Sequence, residues 1–269
     1  MSYLKLEKVT FAYPNGFTAI ENVSLDIEKG ESIAVIGQNG AGKTTAMKLL
    51  NGLYKPTDGN IFVDDWNTKD YTTAQISRKV GYVFQNPDEQ IFHDDVYSEI
   101  KFGPKNLGFD EKKVEENVKN AAEMMGITDL LEEHPYNLPF SLRKFVTIAS
   151  VIAMDSSVII LDEPTAGQDA LAMERLGSVI ATLNQEGRTV ITISHDMEFV
   201  VKNFDRVVVM ANKRKISDTT KRKVFWNLDV LKEGRLKQPY ISSLSNKLGI
   251  KNNILDIDEM VESIVNKAH

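Results

Sequence analysis

The segment Gly37 to Thr44, GQNGAGKT, restricts this chain more than any other stretch. It matches G-x-x-x-x-G-K-[ST] in full, between an apolar run ending at Ile36 and a helix-like run starting at Thr45. Gly37, Gly40 and Gly42 allow the backbone to curl until its NH groups face phosphate oxygens, and the following helix adds its positive N-terminus. In such a loop Lys43 is expected against the β- and γ-phosphates and Thr44 on magnesium, with Asn39, Gly40, Ala41 and Thr45 completing the candidate nucleotide contacts. Strand before and helix after make this an α/β chain.

Val158 to Pro164, VIILDEP, supplies the complementary chemistry: an apolar strand ending in two adjacent carboxylates. Paired acids at a strand end are ordinarily a solvated loop. Downstream of a complete phosphate loop, Asp162 is expected to reach magnesium, directly or through water, and Glu163 to polarise an attacking water as general base.

With 269 residues and 42% hydrophobic content the chain has enough apolar surface for one large domain and a modest appendage. A net charge of −6 gives no electrostatic ground for a nucleic-acid partner. The absence of Cys excludes disulfides, thiolate metal sites and Cys nucleophiles and is compatible with the cytosol. MSYLKLEKVTFAY alternates polar and apolar residues, which predicts a strand and not a signal peptide. No apolar segment approaches the ~20 residues that span a bilayer, so any membrane role is expected to pass through a partner.

The runs LKLEKVTFAY, NVSLDIEKGESIAVIG and GNIFVDD predict a β-rich beginning, with a turn at Lys29-Gly30. From Asp110 a helical region is expected, with Val114, Val118, Ala121, Ala122 and Met125 on one face and Gly126 as its stop. SSVIILDEP and RTVITISHD are apolar on both faces, as central parallel strands are, and bracket a helix from about Ala170 to Glu186. RVVVMANKRKIS reads as a hairpin. After about Thr220 the pattern turns helical and more polar, with YISSLSNKLGI and DIDEMVESIV as two short amphipathic pieces.

These residues together resemble the ATP-binding-cassette (ABC) family over positions 1 to about 225. The resemblance implies a P-loop NTPase cassette: a mixed core sheet, an antiparallel β subdomain, a helical subdomain at about 86–155, and here a small C-terminal helical domain at 226–269 for accessory or dimerisation roles. It implies ATP and Mg2+ as ligands. Within it Tyr13 looks like the aromatic that stacks on adenine, although a Tyr after alternating apolar residues is more often core packing. Gln85 in YVFQN looks like the loop glutamine that senses magnesium and water, Asp169 in TAGQD like the loop that reaches across a dimer, and His195 in TISHD like the switch histidine on the γ-phosphate. NPDEQIFHDDVYSEIKFGPKNLG, unless it is an ordinary polar surface loop, is similar to the segment of energy-coupling-factor and cobalt-type importer ATPases. Those dock on an integral membrane scaffold through its coupling helices, at a groove near this loop, and serve a separate substrate-capture component. The resemblance therefore implies a peripheral position on the cytoplasmic face of the cell membrane.

One motif departs from the family. Where members carry a sequence close to L-S-G-G-Q, register with VTIAS at 146–150 places Leu138, Pro139, Phe140, Ser141 and Leu142, and only the leucine survives. Pro139 has no NH to donate, and Phe140 puts a ring where backbone must approach phosphate. Proline early in a helix is well tolerated, so the fold need not suffer. Arg143 and Lys144 read better as a solvated basic pair than as contacts to a phosphate or an acidic loop. Cassette dimers are head to tail, so the loss falls on the partner's nucleotide. The expectation is an asymmetric heterodimer in which a second ABC ATPase supplies an intact signature and this chain the working Walker half. The output would be transport of a micronutrient, a vitamin or a transition metal. The alternatives are a regulatory nucleotide-binding subunit that hydrolyses nothing, which the lost signature keeps open, and a non-transport ABC protein, which normally carries a second cassette or a long coiled coil.

Overall fold

The structure is a computed structural model and describes residues 2–250 and 253–265; positions 251–252 and 266–269 of the expected C-terminal domain lie outside the described residues. In chain order the strands are β1 (Leu4–Ala12), β2 (Thr18–Ile27), β3 (Ser32–Ile36), β4 (Asp58–Val63), β5 (Trp66–Asn67), β6 (Val80–Val83), β7 (Val158–Asp162), β8 (Thr189–Ile193), β9 (Arg206–Ala211) and β10 (Arg214–Thr220). The helices are α1 (Lys43–Leu50), α2 (Thr73–Ile76), α3 (Val96–Asn106), α4 (Glu111–Met125), α5 (Phe140–Ala153), α6 (Ala170–Gln185), α7 (Met197–Asn203), α8 (Lys221–Phe225), α9 (Leu228–Gly234), α10 (Tyr240–Lys247) and α11 (Ile257–Val265).

The period-two pattern of the first residues becomes an antiparallel sheet of order β2-β1-β4-β5. Leu4 pairs with Ile27 and Leu6 with Leu25, and these apolar residues face inward. A register shift between Leu6 and Val9, at Lys8 with φ 48°, bends β1 so that Val9 and Phe11 return to the same interior. The second sheet has the order β10-β9-β3-β8-β7-β6, parallel from β9 to β6, with β10 added antiparallel through a tight turn at Asn212-Lys213. Both turn residues have positive φ, 49° and 68°, which suits the right-handed twist of a hairpin.

Strands β3, β7 and β8 are apolar on both faces because both are covered. Ala34, Ile36, Ile159, Leu161 and Val190 pack under helices α3 to α7, while Ile33, Val35, Val158, Ile160, Ile191 and Ile193 face the antiparallel sheet and α1. Truncating one of these fully buried isoleucines to Ala costs ~2–5 kcal/mol.

Helix α4 buries the expected face, is capped by Asp110 accepting from the Lys113 NH, and stops at Gly126 in the left-handed region. Within the stretch at about 86–155 expected to be helical, a helix also precedes α4. Residues 86–108, which read partly as loop, contain α3, started by Asp95 accepting from the Ser98 NH at 2.7 Å. Its Pro104 lies near the C-terminal end, where it removes one intrahelical NH, and the helix ends at Asn106. Helix α5 is buried nearly all round from Lys144 to Ala153. Beyond Thr220, α9 packs against β9, and Val224, Phe225, Leu231 and Leu255 join the main core, whereas Ile250, Ile254 and Met260 form a small cluster of their own. Among the described residues no helix is long and apolar enough to cross a membrane.

Candidate active site

Parallel neighbours in a sheet deliver their C-terminal ends to one edge, and this is what assembles the site. The loop at 37–42 leaves β3, Asp162 and Glu163 end β7, Ser194-His195 follows β8, and Gln85 follows β6. Asn39, Gly40, Ala41, Gly42, Lys43, Thr44 and Thr45 line one cavity of about 240 Å3 together with Gln85, Glu163 and His195. Gly37 and Asp162 are not among its lining residues; they support it from behind.

Two of the three glycines of the phosphate loop are required by close approach. A Cβ on Gly37, at φ 151°, would lie 2.1 Å from the Met210 carbonyl oxygen; one on Gly42, at φ 97°, would lie 2.5 Å from the Ile20 side chain and 2.7 Å from the Ala19 carbonyl. Gly40 differs: a Cβ there would meet nothing within 4 Å, and only its φ of 76° calls for glycine. The expectation that Gly40 serves the nucleotide therefore rests on its place in the cavity wall, where its backbone faces the space a phosphate would fill, and not on crowding within the chain. Helix α1 starts directly at Lys43 with no side-chain cap, so its first NH groups remain free to meet an anion. The Lys43 ammonium is nearly buried and donates to the carbonyls of Gly37 at 2.7 Å and Gln38 at 3.1 Å. Burial lowers its pKa against the opposing pull of Glu163 and Asp162.

Asp162 is almost wholly buried. One of its oxygens accepts from the Tyr82 hydroxyl at 2.7 Å and the other from Thr44 Oγ1 at 3.4 Å. Burial and the Asp162 charge push the Tyr82 phenol far up, so it remains a donor. A hydroxyl and a buried carboxylate on one side, with the Gln85 amide on the same cavity, form the oxygen set that Mg2+ takes together with phosphate and water. Among the described residues no group of three or more His, Cys, Asp or Glu could hold a metal ion.

Glu163 stands at φ 49°, in the left-handed region where a non-glycine residue is strained. Its Oε2 accepts from the His195 NH at 3.2 Å, and its Oε1 lies 3.3 Å from His195 Nε2 without a well-formed hydrogen bond. Burial pushes the carboxyl up from 4.5 to about 7. The His195 imidazole, 3.4 Å from Lys43 Nζ, is held below its usual range by burial and by that ammonium. A carboxyl near neutrality, a neutral imidazole and a cation within one cavity are suited to moving a proton beside a phosphate.

Tyr13 is half-buried beside this loop, its hydroxyl 3.0 Å from Thr45 Oγ1 and its ring edge-on to Phe11 and Tyr54. Asp169 caps α6 by accepting from the Ala172 NH at 2.8 Å. Neither Tyr13 nor Asp169 lines the cavity.

The ABC transporter family profile matches residues 20–166. The chain belongs to the ABC transporter family. Over 97% of its length it is 37% identical to a putative ABC transporter ATP-binding protein of Pyrococcus horikoshii, covering 99% of that protein. It is 40% identical to the energy-coupling factor transporter ATP-binding protein EcfA1 of Clostridioides difficile, with 96% of each chain covered. Among solved structures it resembles cbiO1 of Clostridium perfringens, described as part of the ABC transporter complex cbiONQ, with TM-score 0.77, 33% identity, and 91% and 99% coverage. The chain is therefore an ABC-type ATPase with a cassette fold, similar to ATP-binding subunits of the energy-coupling-factor and cobalt type.

In this ABC ATPase the degenerate segment begins α5. Pro139 is its N-cap residue, and its carbonyl accepts from the Leu142 and Arg143 NH groups, so the helix starts without distortion. The Phe140 ring is partly exposed and packs 3.0 Å from where a Cβ of Gly167 would stand. The reading of Arg143 and Lys144 as a solvated pair is overturned. Arg143 is ion-paired with Asp88 at 2.9 Å, and Lys144 is fully buried, donating to the Glu163 carbonyl at 2.5 Å. The reason is packing: from Lys144 onward α5 is covered on all sides, so the lysine meets a backbone carbonyl in place of solvent.

Other supporting residues escaped sequence reasoning. Gln90 fixes the end of β6 by accepting from the Phe84 NH, and Tyr82 braces Asp162. Glu99, buried, accepts from the NH groups of Phe92 and His93. Lys237, Gln238 and Tyr240 reach back to wall the outer side of the site, where the Tyr240 NH donates to Glu198 at 2.6 Å. A single sequence carries no local signal for pairings as distant as Tyr82–Asp162 and Tyr240–Glu198.

Proposed function

We propose that this chain is the ATP-hydrolysing subunit of an energy-coupling-factor-type importer of a micronutrient, a vitamin or a transition metal. It works on the cytoplasmic face of the membrane as the Walker half of an asymmetric heterodimer. One observation carries the reading: a cavity that unites Lys43, Thr44, Gln85, Glu163 and His195 exists in the same chain as a helix start that offers phosphate a proline and a phenylalanine. The names of its relatives support the transporter class.

In this reading the amides from Asn39 and Gly40 to Thr45 and the Lys43 ammonium neutralise charge developing on the β- and γ-phosphates. Thr44, Asp162 and Gln85 would hold Mg2+, which would supply positive charge beside the phosphates. Tyr13 stacks on adenine, and Thr45, through its contact with the Tyr13 hydroxyl, ties base recognition to α1. Glu163, with its pKa near 7, accepts the proton of the attacking water, and His195 holds the γ-phosphate. The phosphoryl oxygen on the far side is left to donors of a second cassette with an intact signature, toward which Asp169 reaches.

Docking on an integral membrane scaffold is assigned to an apolar groove of about 220 Å3 lined by Leu53, Phe84, Phe92, Phe102, Gly103 and Met154. Phe92 and Phe102 are exposed there and meet edge to face at 4.7 Å, a surface matched to a short coupling helix. Glu99 fixes the backbone that presents Phe92.

The test is co-purification from detergent-solubilised membranes followed by ATPase assay. A second cassette, an integral membrane protein and a substrate-capture component are expected to accompany the chain, and turnover is expected to require the second cassette. If the purified chain alone turned over ATP at rates normal for the family and lost it on Glu163→Gln, the asymmetric part of the reading would fail. Ribosomes or nucleic acid in place of membrane proteins would remove the transport part. Retained turnover in the Glu163→Gln complex would favour the regulatory reading, in which the partner does all the hydrolysis.

A further inference from the structure

We propose that Lys144 is a positioning residue for Glu163, holding the main chain of the base in its left-handed turn from beneath. The inference rests on Glu163 being the base and concerns what replaces the lost signature within the same chain.

The start of α5 is tied to the loop after β7 at three points. Lys144 Nζ donates to the Glu163 carbonyl, the Phe140 ring packs on Gly167, and Gln168 Nε2 donates to the Ser141 carbonyl at 3.2 Å. The Phe140 ring centre lies 5.8 Å from Lys144 Nζ, so an aromatic face from the degenerate motif covers the ammonium. These residues, which deny α5 to a partner's phosphate, here close over this chain's own catalytic loop.

A fully buried lysine needs a reason. Burial opposes its charge and brings its pKa down to about 8, so an apolar side chain of the same length would be easier to accommodate at this position. What the ammonium supplies is a donor aimed at one carbonyl. That carbonyl belongs to a glutamate at φ 49°, and it also accepts from the Ala166 NH at 3.3 Å. A residue in the left-handed region persists only where its surroundings over-determine it. Two donors on the carbonyl, with the Glu163 NH bound to the Ile193 carbonyl at 3.0 Å, fix the peptide planes on both sides of Cα. The direction of the Cα–Cβ bond then follows, and with it the aim of the carboxylate at the cavity. Lys144 does not touch the nucleotide; it acts through Glu163.

The experiment uses the full-length chain in its co-purified complex and compares Lys144→Met, Lys144→Gln and Lys144→Arg. Lys144→Met keeps the stem and removes the donor. The expected result is a kcat for ATP lowered about tenfold with KM within about twofold, while the thermal midpoint of the chain is unchanged or higher. At least one of the two donor-bearing variants should recover most of the lost turnover. An unchanged kcat, or a kcat that falls together with thermal stability and KM and is not restored by a donor, overturns the proposal. Should Lys144→Met not fold, Phe140→Leu decides: a kcat lowered about threefold at constant KM supports the proposal, and an unchanged kcat overturns it. Glu163→Gln is measured alongside. If it leaves turnover intact, the assignment of the base has failed. If it abolishes turnover while Lys144→Met does not lower it, only the role of Lys144 has.

Discussion

Helix α1 begins at the phosphate loop and helix α5 at the segment in register with the family's signature motif, and the contrast between their first turns shows what an anion site requires beyond a helix dipole. Helix α1 opens with Gly42 in the left-handed region and exposes uncapped NH groups to the cavity. Helix α5 opens with Pro139, lacking an NH, and Phe140, whose ring lies against Gly167. Both N-termini carry the same macrodipole. Backbone access distinguishes them: a phosphate needs donors within ~3 Å, and the side chains of α5 keep it out while binding the helix to the chain's own loop.

The largest effect that tests this contrast is expected from Glu163→Gln, which belongs to the α1 side of the cavity. Steady-state turnover of the complex should fall ~10²–10⁴-fold with ATP binding retained, as expected for loss of a general base. A small effect would mean that the intact half is not the working half.

The next effect is on stability. The Glu163 carboxyl is raised from 4.5 to about 7 in the folded, nucleotide-free chain. Between these values the folded state binds more protons than the unfolded one, so stability falls as pH rises through this window. Glu163→Gln cannot ionise, and denaturant titration should find it more stable than the parent at pH 8 by on the order of 2 kcal/mol. The gap should close toward pH 4.5. A pH-independent gap would show that burial of the charge is not its source.

Restoring α5 comes third. Pro139→Ser, Phe140→Gly, Ser141→Gly and Leu142→Gln together should raise ATP turnover of the purified chain alone roughly tenfold, short of the ~10²–10³ that even one preorganised donor is worth elsewhere. The shortfall is expected because removing Phe140 also uncovers Lys144. No gain would mean that the first turn is not what limits a homodimer. The smallest effect is expected from Tyr13→Ala, about 1 kcal/mol of ATP affinity by calorimetry. An unchanged affinity would return Tyr13 to core packing against Phe11 and Tyr54.

Much of the molecule was legible because it is local. The phosphate loop, the apolar strands β7 and β8, the Gly126 stop of α4 and the β9–β10 hairpin each follow from a few consecutive residues. The acids of β7 were legible by type and place at a strand end and His195 through the family resemblance, and the parallel sheet brings Glu163 and His195 to one cavity whatever their separation in sequence. Within the loop the motif fixes Gly37 and Gly42 and leaves position 40 open, and folding supplies the reason: Gly37 and Gly42 are hemmed in by backbone from β9 and β2, while Gly40 is free of neighbours. Helix α3 was harder to see, because its proline and flanking polar residues mimic a loop while its stability comes from α4 and α5 packed against it. Lys144 was misread for a related reason. Its charge argued for solvent, and only the packing that covers α5 on all sides from Lys144 onward places it in the interior.

The sequence alone thus settles the family of the fold, the phosphate loop and the damaged signature, because each is written in contiguous residues whose backbone demands are short-range. Folding settles which carbonyl a buried ammonium finds, which hydroxyl braces Asp162, and which face of the catalytic cavity the segment 237–240 closes. Those partners stand 19, 80 and tens of residues apart in the chain. No local rule pairs them; the stacking of helices on a covered parallel sheet does.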